Sequence, residues 1–294
     1  MVTRRTGLRL AGLLVLLVFT AFFFVPILWL LLAPTKTDHQ LVFLSNPFAF
    51  GSFHNLAHAW HAVFNFQNDA LLTWVKNSAI YSVGGVVLAI VAAVPAGYGL
   101  ALTKFIGRRT LLGVTLVVMI MPATALVLPL FLEINLVKLT DTPWSVILPF
   151  SFFPFGVYLT YIFFSSTIPA DLLAAARIDG CNEWDVFRRI ALPLARPVVA
   201  LVAFFAFVAD WNNFFLPYVV LADSNQYPIT VGLWDLLSAT PSFNPSVGGG
   251  GQSVNIFKPE LALATLIAVV PVAVVFVLSQ RALVRGLVGG AVKE

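Results

Sequence analysis

Of 294 residues, 60% are hydrophobic and only 10% are charged, with a net charge of +4; a soluble domain carries roughly 25% charged residues. The remaining charges cluster between long uncharged stretches, which excludes an ordinary soluble domain and defines the membrane class. The positive balance follows the ends of those stretches, which argues for orientation in a bilayer and against nucleic acid as a partner.

The first uncharged run is Leu10–Ala33, preceded by Arg4, Arg5 and Arg9. It exceeds the roughly 7–15 residues of a signal-peptide core and no A-x-A site follows, so it is expected as a retained first span. Further apolar stretches follow at Asn77–Thr103, Leu111–Leu132, Trp144–Ser165, Pro197–Ala222 and Leu261–Gln280. Each approaches the roughly 20 residues that a crossing helix needs. Only Pro197–Ala222 contains an Asp, Glu, Lys or Arg, namely Asp210. The expectation is an all-α integral membrane protein, a single transmembrane domain over residues 1–294 with six transmembrane helices. Pro26, Pro95, Pro122, Pro129, Pro149, Pro154, Pro217 and Pro271 fall in or near these spans, where neighbouring helices can satisfy the freed carbonyls.

Numbering the spans alternately assigns every basic residue to a side. Arg4, Arg5, Arg9, Lys104, Arg108, Arg109, Arg177, Arg188, Arg189, Arg196, Arg281, Arg285 and Lys293 fall on one; Lys36, Lys76, Lys138 and Lys258 fall on the other. Basic residues near span ends stay in the cytoplasm, so both termini are expected there.

Two long outer segments result, 34–76 and 223–260, and one substantial inner segment, 166–196. In the first outer segment His54, His58 and His61 share a helix face. They alternate with Leu56, Ala57, Trp60, Val63 and Phe64 and have no carboxylate within the same turns, so an amphipathic helix is expected rather than a metal site. The second carries Tyr227, Trp234 and Phe243 and a glycine run, Gly248–Gly251. That run suits a tip approaching a ligand closely and equally a linker. The one cysteine, Cys181, can build neither a disulfide framework nor a zinc site.

The inner segment runs Ile168-Pro169-Ala170-Asp171-Leu172-Leu173-Ala174-Ala175-Ala176-Arg177-Ile178-Asp179-Gly180, then Cys181-Asn182-Glu183-Trp184-Asp185 and on to Ile190-Ala191-Leu192-Pro193. Pro169 suits a helix start and the alanine-rich run favours helix. Gly180 suits a left-handed stop. Asn182 can cap a second helix with Glu183 and Asp185 in its positive first turn, and Pro193 is expected to end it. The residues alone leave two readings open, an interfacial amphipathic helix and a helix pair that docks on a partner.

This segment resembles the EAA loop of ABC importer permeases: E-A-A, three residues, G, nine residues, I, one residue, L-P. Ala175, Ala176, Gly180, Ile190, Leu192 and Pro193 match, and the motif glutamate is replaced by Ala174. Ala176-Arg177-Ile178-Asp179-Gly180 looks like the carbohydrate-uptake relatives of the maltose permease. Trp211-Asn212-Asn213-Phe214-Phe215-Leu216-Pro217 resembles the W-N-x-F-L-x-P stretch of the fifth span, and Gln280–Glu294 resembles the tail of maltose-G-like permeases. The resemblance implies a type I importer permease fold in the cell membrane of a prokaryote. It also implies a second homologous permease, two copies of an ABC ATPase and an extracytoplasmic solute-binding protein, with coupling to the ATPase through Asp171, Ala174, Ala175, Ala176, Asp179, Gly180, Ile190, Leu192 and Pro193. Asp171, one turn before Ala174, is the carboxylate that can stand in for the missing glutamate.

No G-x-x-x-x-G-K-[ST] phosphate cradle, catalytic set or metal-ligand set is evident. No cofactor is therefore expected in this chain, and ATP and Mg are used by a partner. Asp210 is costly at mid-membrane, at least ~2.5–3.5 kcal/mol on insertion scales. With Trp211, Asn212 and Asn213 it offers the donors, acceptors and aromatic face of a sugar path; a structural hydrogen bond to a neighbouring helix is the other reading. The alternatives carried are a secondary transporter, which needs more intramembrane charge, and a permease for a non-sugar solute such as a glycerophosphodiester.

Overall fold

The computed structural model describes residues 2–43, 46–241, 243–244 and 256–289. Among them the chain is helical, without strands. It divides into two units, Met1–Leu72 with Leu233–Val269, and Thr73–Gly232 with Val270–Glu294.

The first unit begins with helix α1, Val2–Leu32, which ends in a 3-10 turn at Ala33–Thr35. Two short helices follow, α2 (Asp38–Phe43) and α3 (Phe53–Phe64). Ser52 caps α3 by accepting the Asn55 N–H at 3.1 Å, one orphan donor of the first turn satisfied. Helix α3 buries Ala59 and Val63 and leaves its histidines exposed, as an amphipathic helix should. His58 Nδ1 lies 3.5 Å from Glu260 Oε1, a carboxylate from 202 positions further along that sequence spacing could not have placed there. Among the described residues no group of three or more His, Cys, Asp or Glu is arranged to hold a metal ion. Lys36, counted above as an outer charge, is buried, and its ammonium donates to the Pro47 carbonyl at 2.6 Å.

In the second unit, helix α4 runs Ala70–Leu102, starting before the expected Asn77. The expected third span is broken. Helix α5 (Arg108–Ile120) turns through 102° into a stretch, Ala123–Leu136, that ends in α6 (Val127–Leu136). The cause is Pro122, which has no N–H to give and which biases Met121 to extended backbone, φ −66° and ψ 133°. Pro154 likewise divides the fourth span into α7 (Trp144–Ser151) and α8 (Pro154–Thr167).

The inner segment comprises α9 (Ala170–Ile178), α10 (Glu183–Asp185), a π-helical stretch Val186–Ala191 and α11 (Leu192–Leu194). Pro193 does not end the second helix as expected. The π stretch widens the ladder, with the Leu192 N–H reaching back five residues to the Phe187 carbonyl. That widening relieves the clash a proline ring otherwise makes with an α-helical carbonyl. The break falls at Ala195, where the chain bends 75° into α12 (Arg196–Trp211). A gap at Asn212–Phe214 separates α12 from α13 (Phe215–Val220), so the expected fifth span is not one helix either. Helix α14 (Ile229–Ser238) lies in the second outer segment, and α15 (Lys258–Gly289) covers the sixth span. Gly248–Gly251 and the last five residues of the tail lie outside the described residues.

Among the described residues four stretches are long and apolar enough to cross a membrane: Gly12–Thr35, Ala70–Leu102, Trp144–Thr167 and Lys258–Arg281. Counting each of the two bent pairs as one span brings the number to six.

Two apolar cores hold the second unit together. One joins Val94 and Tyr98 of α4, Phe164 of α8, Leu173 and Ala176 of α9, Val186 and Phe187 of the π stretch and Val198 of α12. The other joins Tyr81, Val127, Ile134, Phe150, Leu216 and Val220. The first core fixes the inner segment onto α4, α8 and α12 by close packing.

Candidate functional site

The inner helix pair is built around one turn. Helix α9 ends with the Cys181 N–H bonded to the Ala176 carbonyl at 3.0 Å and the Gly180 N–H to the Arg177 carbonyl at 3.2 Å. Gly180 between them has φ +85°. This is the paired-bond Schellman ending, in which glycine satisfies the last carbonyls of the helix without a Cβ penalty. The chain re-enters helix at once, with Asn182 Oδ1 accepting the Asp185 N–H at 2.9 Å. Asp185 then pairs with Arg189 at 3.1 Å one turn on.

Glu183 ties the two halves together and to α4. One carboxylate oxygen accepts from Arg177 Nε at 2.8 Å, and the other accepts from the Tyr98 hydroxyl at 3.1 Å. The Tyr98 ring is buried edge-on against Phe164 and Phe187, at 5.6 and 5.1 Å between centroids. The Arg177 hydrogen bond holds the Glu183 carboxyl below the usual carboxylate range; burial opposes the shift and the Tyr98 bond adds to it.

The residues expected to face a partner divide into two sets. Leu173 and Ala176 are buried in the chain's own core, and Ile190 and Leu192 pack partly against it. Asp171, Ala174, Ala175, Asp179, Gly180 and Pro193 are exposed. The exposed large apolar side chains are Leu172 (41%), Ile178 (85%), Trp184 (63%) and, at the end of α11, Leu194 (47%). The sequence reading gave Glu183 only a place in the first turn of the second helix and gave Trp184 no role, although a tryptophan in an otherwise acidic first turn was a visible signal for the latter.

A second feature is a cleft of about 540 Å³ where α12 gives way to α13. Asp210 and Asn213 line it with Thr124, Met119, Phe150 and Phe214. Asp210 lies in the last turn of α12, and its Oδ2 is buried without a hydrogen-bond partner among the described residues. The carboxylate lies against α4, where a Cβ added at Gly85 would come within 2.6 Å of that oxygen. Trp211 and Asn212, grouped with Asp210 on sequence grounds, are not on the cleft. Trp211 is buried and stacked on Phe207 at 5.5 Å. Asn212 is exposed, its amide donating to the Val208 carbonyl at 2.7 Å.

A family described as the binding-protein-dependent transport system inner membrane component matches residues 85–289, a range that contains both features. The chain belongs to that family. The permease is 34% identical over 221 residues to the arabinooligosaccharides transport system permease protein AraQ of Halalkalibacterium halodurans, covering 75% of this chain and 74% of that one. It is 32% identical over 272 residues to the diacetylchitobiose uptake system permease protein NgcG of Streptomyces coelicolor, covering 90% of this chain and 83% of the other. In fold it matches a chain of a bacterial ABC transporter involved in import of the acidic polysaccharide alginate. The TM-score is 0.78 at 22% identity, covering 95% and 96% of the two chains. The permease is thus a multi-pass inner-membrane subunit that is not itself an enzyme, the ATPase being a separate subunit. Membership implies an ATPase, a solute-binding protein and a second permease as its partners.

Proposed function

We propose that this permease is one of two homologous membrane subunits of an importer for a sugar or sugar-like solute. Two copies of an ABC ATPase use ATP and Mg on the cytoplasmic side, and an extracytoplasmic binding protein delivers the solute. Six spans with both termini in the cytoplasm accord with the bias of basic residues toward one set of connections. The printed names of relatives, for arabinooligosaccharides, diacetylchitobiose, lactose and trehalose, support a carbohydrate. The observation that carries the mechanism is the inner helix pair. It is rooted in the core through Leu173, Ala176 and Phe187, and presents Leu172, Ile178 and Trp184 outward. A rooted docking element of this kind passes ATPase closure to the helices above it, a two-state switch biased from a separate site. The cleft beside Asp210 and Asn213 is then the polar wall of the solute path.

The test is uptake by the full complex in vesicles with saturating binding protein, across a panel of labelled oligosaccharides, disaccharides and glycerophosphodiesters. At least one sugar should be taken up in strict dependence on ATP, and Asp210→Asn should raise its KM without altering basal hydrolysis. Uptake of none of the sugars, or uptake driven by an ion gradient without ATP, would overturn the proposal.

Two further outcomes follow from the inner segment. Because Ala174 brings no charge and Leu172, Ile178 and Trp184 stand exposed beside it, the contact is proposed to rest on these apolar side chains, and ATPase association should then change little between low and moderate salt, apolar contacts being unscreened. Steep loss of the ATPase with salt, measured by co-purification, would assign the contact to Asp171, Asp179 or the arginines instead. Glu183→Ala removes the tie to Arg177 between the two halves of the helix pair and the anchor on Tyr98 of α4. Discounted for its exposure, the cluster is worth on the order of 1 kcal/mol, so solute moved per ATP should fall to roughly a fifth. Glu183→Gln should fall between wild type and alanine. The Glu183 pKa is lowered from 4.5. The contribution of the cluster is therefore complete above that value and lost only as pH falls below it. The contribution of Glu183 to coupling should be flat from about pH 6 to about 8; a Glu183→Ala defect that appears or disappears within that window would remove Glu183 from the transmission.

A further inference from the structure

The turn between α4 and α5 combines three features that the transport mechanism proposed above does not use and that go beyond the orientation signal of its basic residues. Arg108 folds back, its guanidinium donating to the Ala101 carbonyl at 3.1 Å and the Thr103 carbonyl at 3.4 Å, which closes the last turn of α4. Gly107, at φ +90°, then turns the chain into α5. The result is a cleft of about 330 Å³ lined by Lys104, Phe105, Gly107, Arg108, Arg109 and Thr110. Among the described residues no carboxylate forms an ion pair with any of its three cations. Beside this basic cleft, at the tip of the same turn, Ile106 is fully exposed (103%) and Phe105 is 45% exposed.

A basic cleft alone would suit any small anion. Two bulky apolar side chains held out beside it favour an anion attached to an apolar phase over a free anion, because in water they bury nothing. We propose that this turn binds the phosphodiester headgroup of an anionic phospholipid. Lys104 and Arg109 hold the phosphate, Arg108 frames the cleft from the end of α4, and Phe105 and Ile106 enter the acyl boundary. The chemistry joins the two known ingredients of interfacial lipid binding, cations beside the surface and apolar side chains beneath it. The proposal requires that the chain spans a membrane and is independent of which solute is carried.

The experiment uses the complete transporter in nanodiscs of phosphatidylcholine with or without phosphatidylglycerol. Retained lipid is counted by native mass spectrometry, and a photoactivatable phosphatidylglycerol is mapped by peptide analysis. Wild type should retain phosphatidylglycerol in preference to phosphatidylcholine and crosslink within 103–110. The double variant Lys104→Gln/Arg109→Gln should lose that preference by roughly thirtyfold, two near-surface cations having been removed. Arg108 is spared because it closes α4. Ile106→Ser should weaken lipid retention although the charges remain. Three outcomes overturn the proposal. One is unchanged retention in the double variant. Another is full displacement of the lipid by inorganic phosphate with Ile106→Ser silent, which marks a free-phosphate site. The third is crosslinking of this turn to the ATPase rather than to lipid.

Discussion

Replacing Gly97 with valine should leave almost no folded permease in the membrane. Gly97 lies in α4 where that helix crosses α8, and the crossing is closer than any side chain permits. A Cβ at Gly97 would collide with Thr160 Oγ1 and would stand 2.7 Å from Thr160 Cβ and 2.8 Å from the Tyr161 backbone nitrogen. Real Cβ contacts under 3.0 Å essentially do not occur, and here two of the obstacles cannot rotate away. Thr160 is itself fully buried, its hydroxyl 3.0 Å from the Ala93 carbonyl of α4 and 2.9 Å from the Gly156 carbonyl of α8. The helices must part to admit a side chain, and parting them breaks that bond and opens the core at Val94, Tyr98 and Phe164. Overpacking of this kind costs about 1–3 kcal/mol or more, a large share of a domain's total stability, and small residues are what allow membrane helices such close approach. Gly97→Ala should give a reduced melting temperature and Gly97→Val little monodisperse protein by size-exclusion chromatography. Gly113→Ala, where nothing lies within 4 Å of an added Cβ, is the control. A normal melting temperature for Gly97→Val would mean that α4 and α8 do not cross as described.

That contact also marks the limit of what the sequence discloses. Long uncharged runs identify membrane helices because lipid imposes one requirement on every residue of a span. The inner helix pair was legible for a local reason: the alanine run, Gly180 and Asn182 each act within a few residues of themselves. Breaks in the third, fourth and fifth spans were not placed, although Pro122, Pro154 and Pro217 were noted. A proline inside an apolar run kinks, breaks or is absorbed according to its neighbours, and Pro95 and Pro271 are simply carried inside α4 and α15. The Glu183 cluster depends on Tyr98, 85 positions away, and the seat of Asp210 depends on Gly85, 125 positions away. Pairings over such distances leave no spacing rule in one sequence. The same holds for Leu173 and Ala176. Their place on α9 fits an outward or an inward face equally well, and only the packing of Val186 and Phe187 beneath them decides it.

Gly180→Val should abolish solute-stimulated ATP hydrolysis while leaving the permease folded and inserted. The backbone at Gly180 is left-handed, φ +85°, yet nothing lies within 4 Å of where its Cβ would be. The position therefore has room for a side chain and penalises only the conformation, by roughly 1–2 kcal/mol for an ordinary residue, with β-branched residues the least tolerant of positive φ. That separates this site from Gly97, where space itself is lacking. A valine relieves its strain by rotating toward right-handed geometry. The paired bonds from Gly180 to Arg177 and from Cys181 to Ala176 would then be lost, and α9 would run on past its end. Leu172 and Ile178 before the turn and Trp184 after it would no longer share the arrangement that the ATPase meets. Asparagine tolerates the left-handed region far better than other non-glycine residues, so Gly180→Asn should retain much of the stimulation, and Gly180→Ala should fall between asparagine and valine. The measurement is ATP hydrolysis by the reconstituted complex with and without loaded binding protein, alongside melting temperature. Loss of stimulation in the order valine, alanine, asparagine at nearly constant melting temperature is the expected result. Equal stimulation in all three variants would show that the turn needs no left-handed residue to pass the signal.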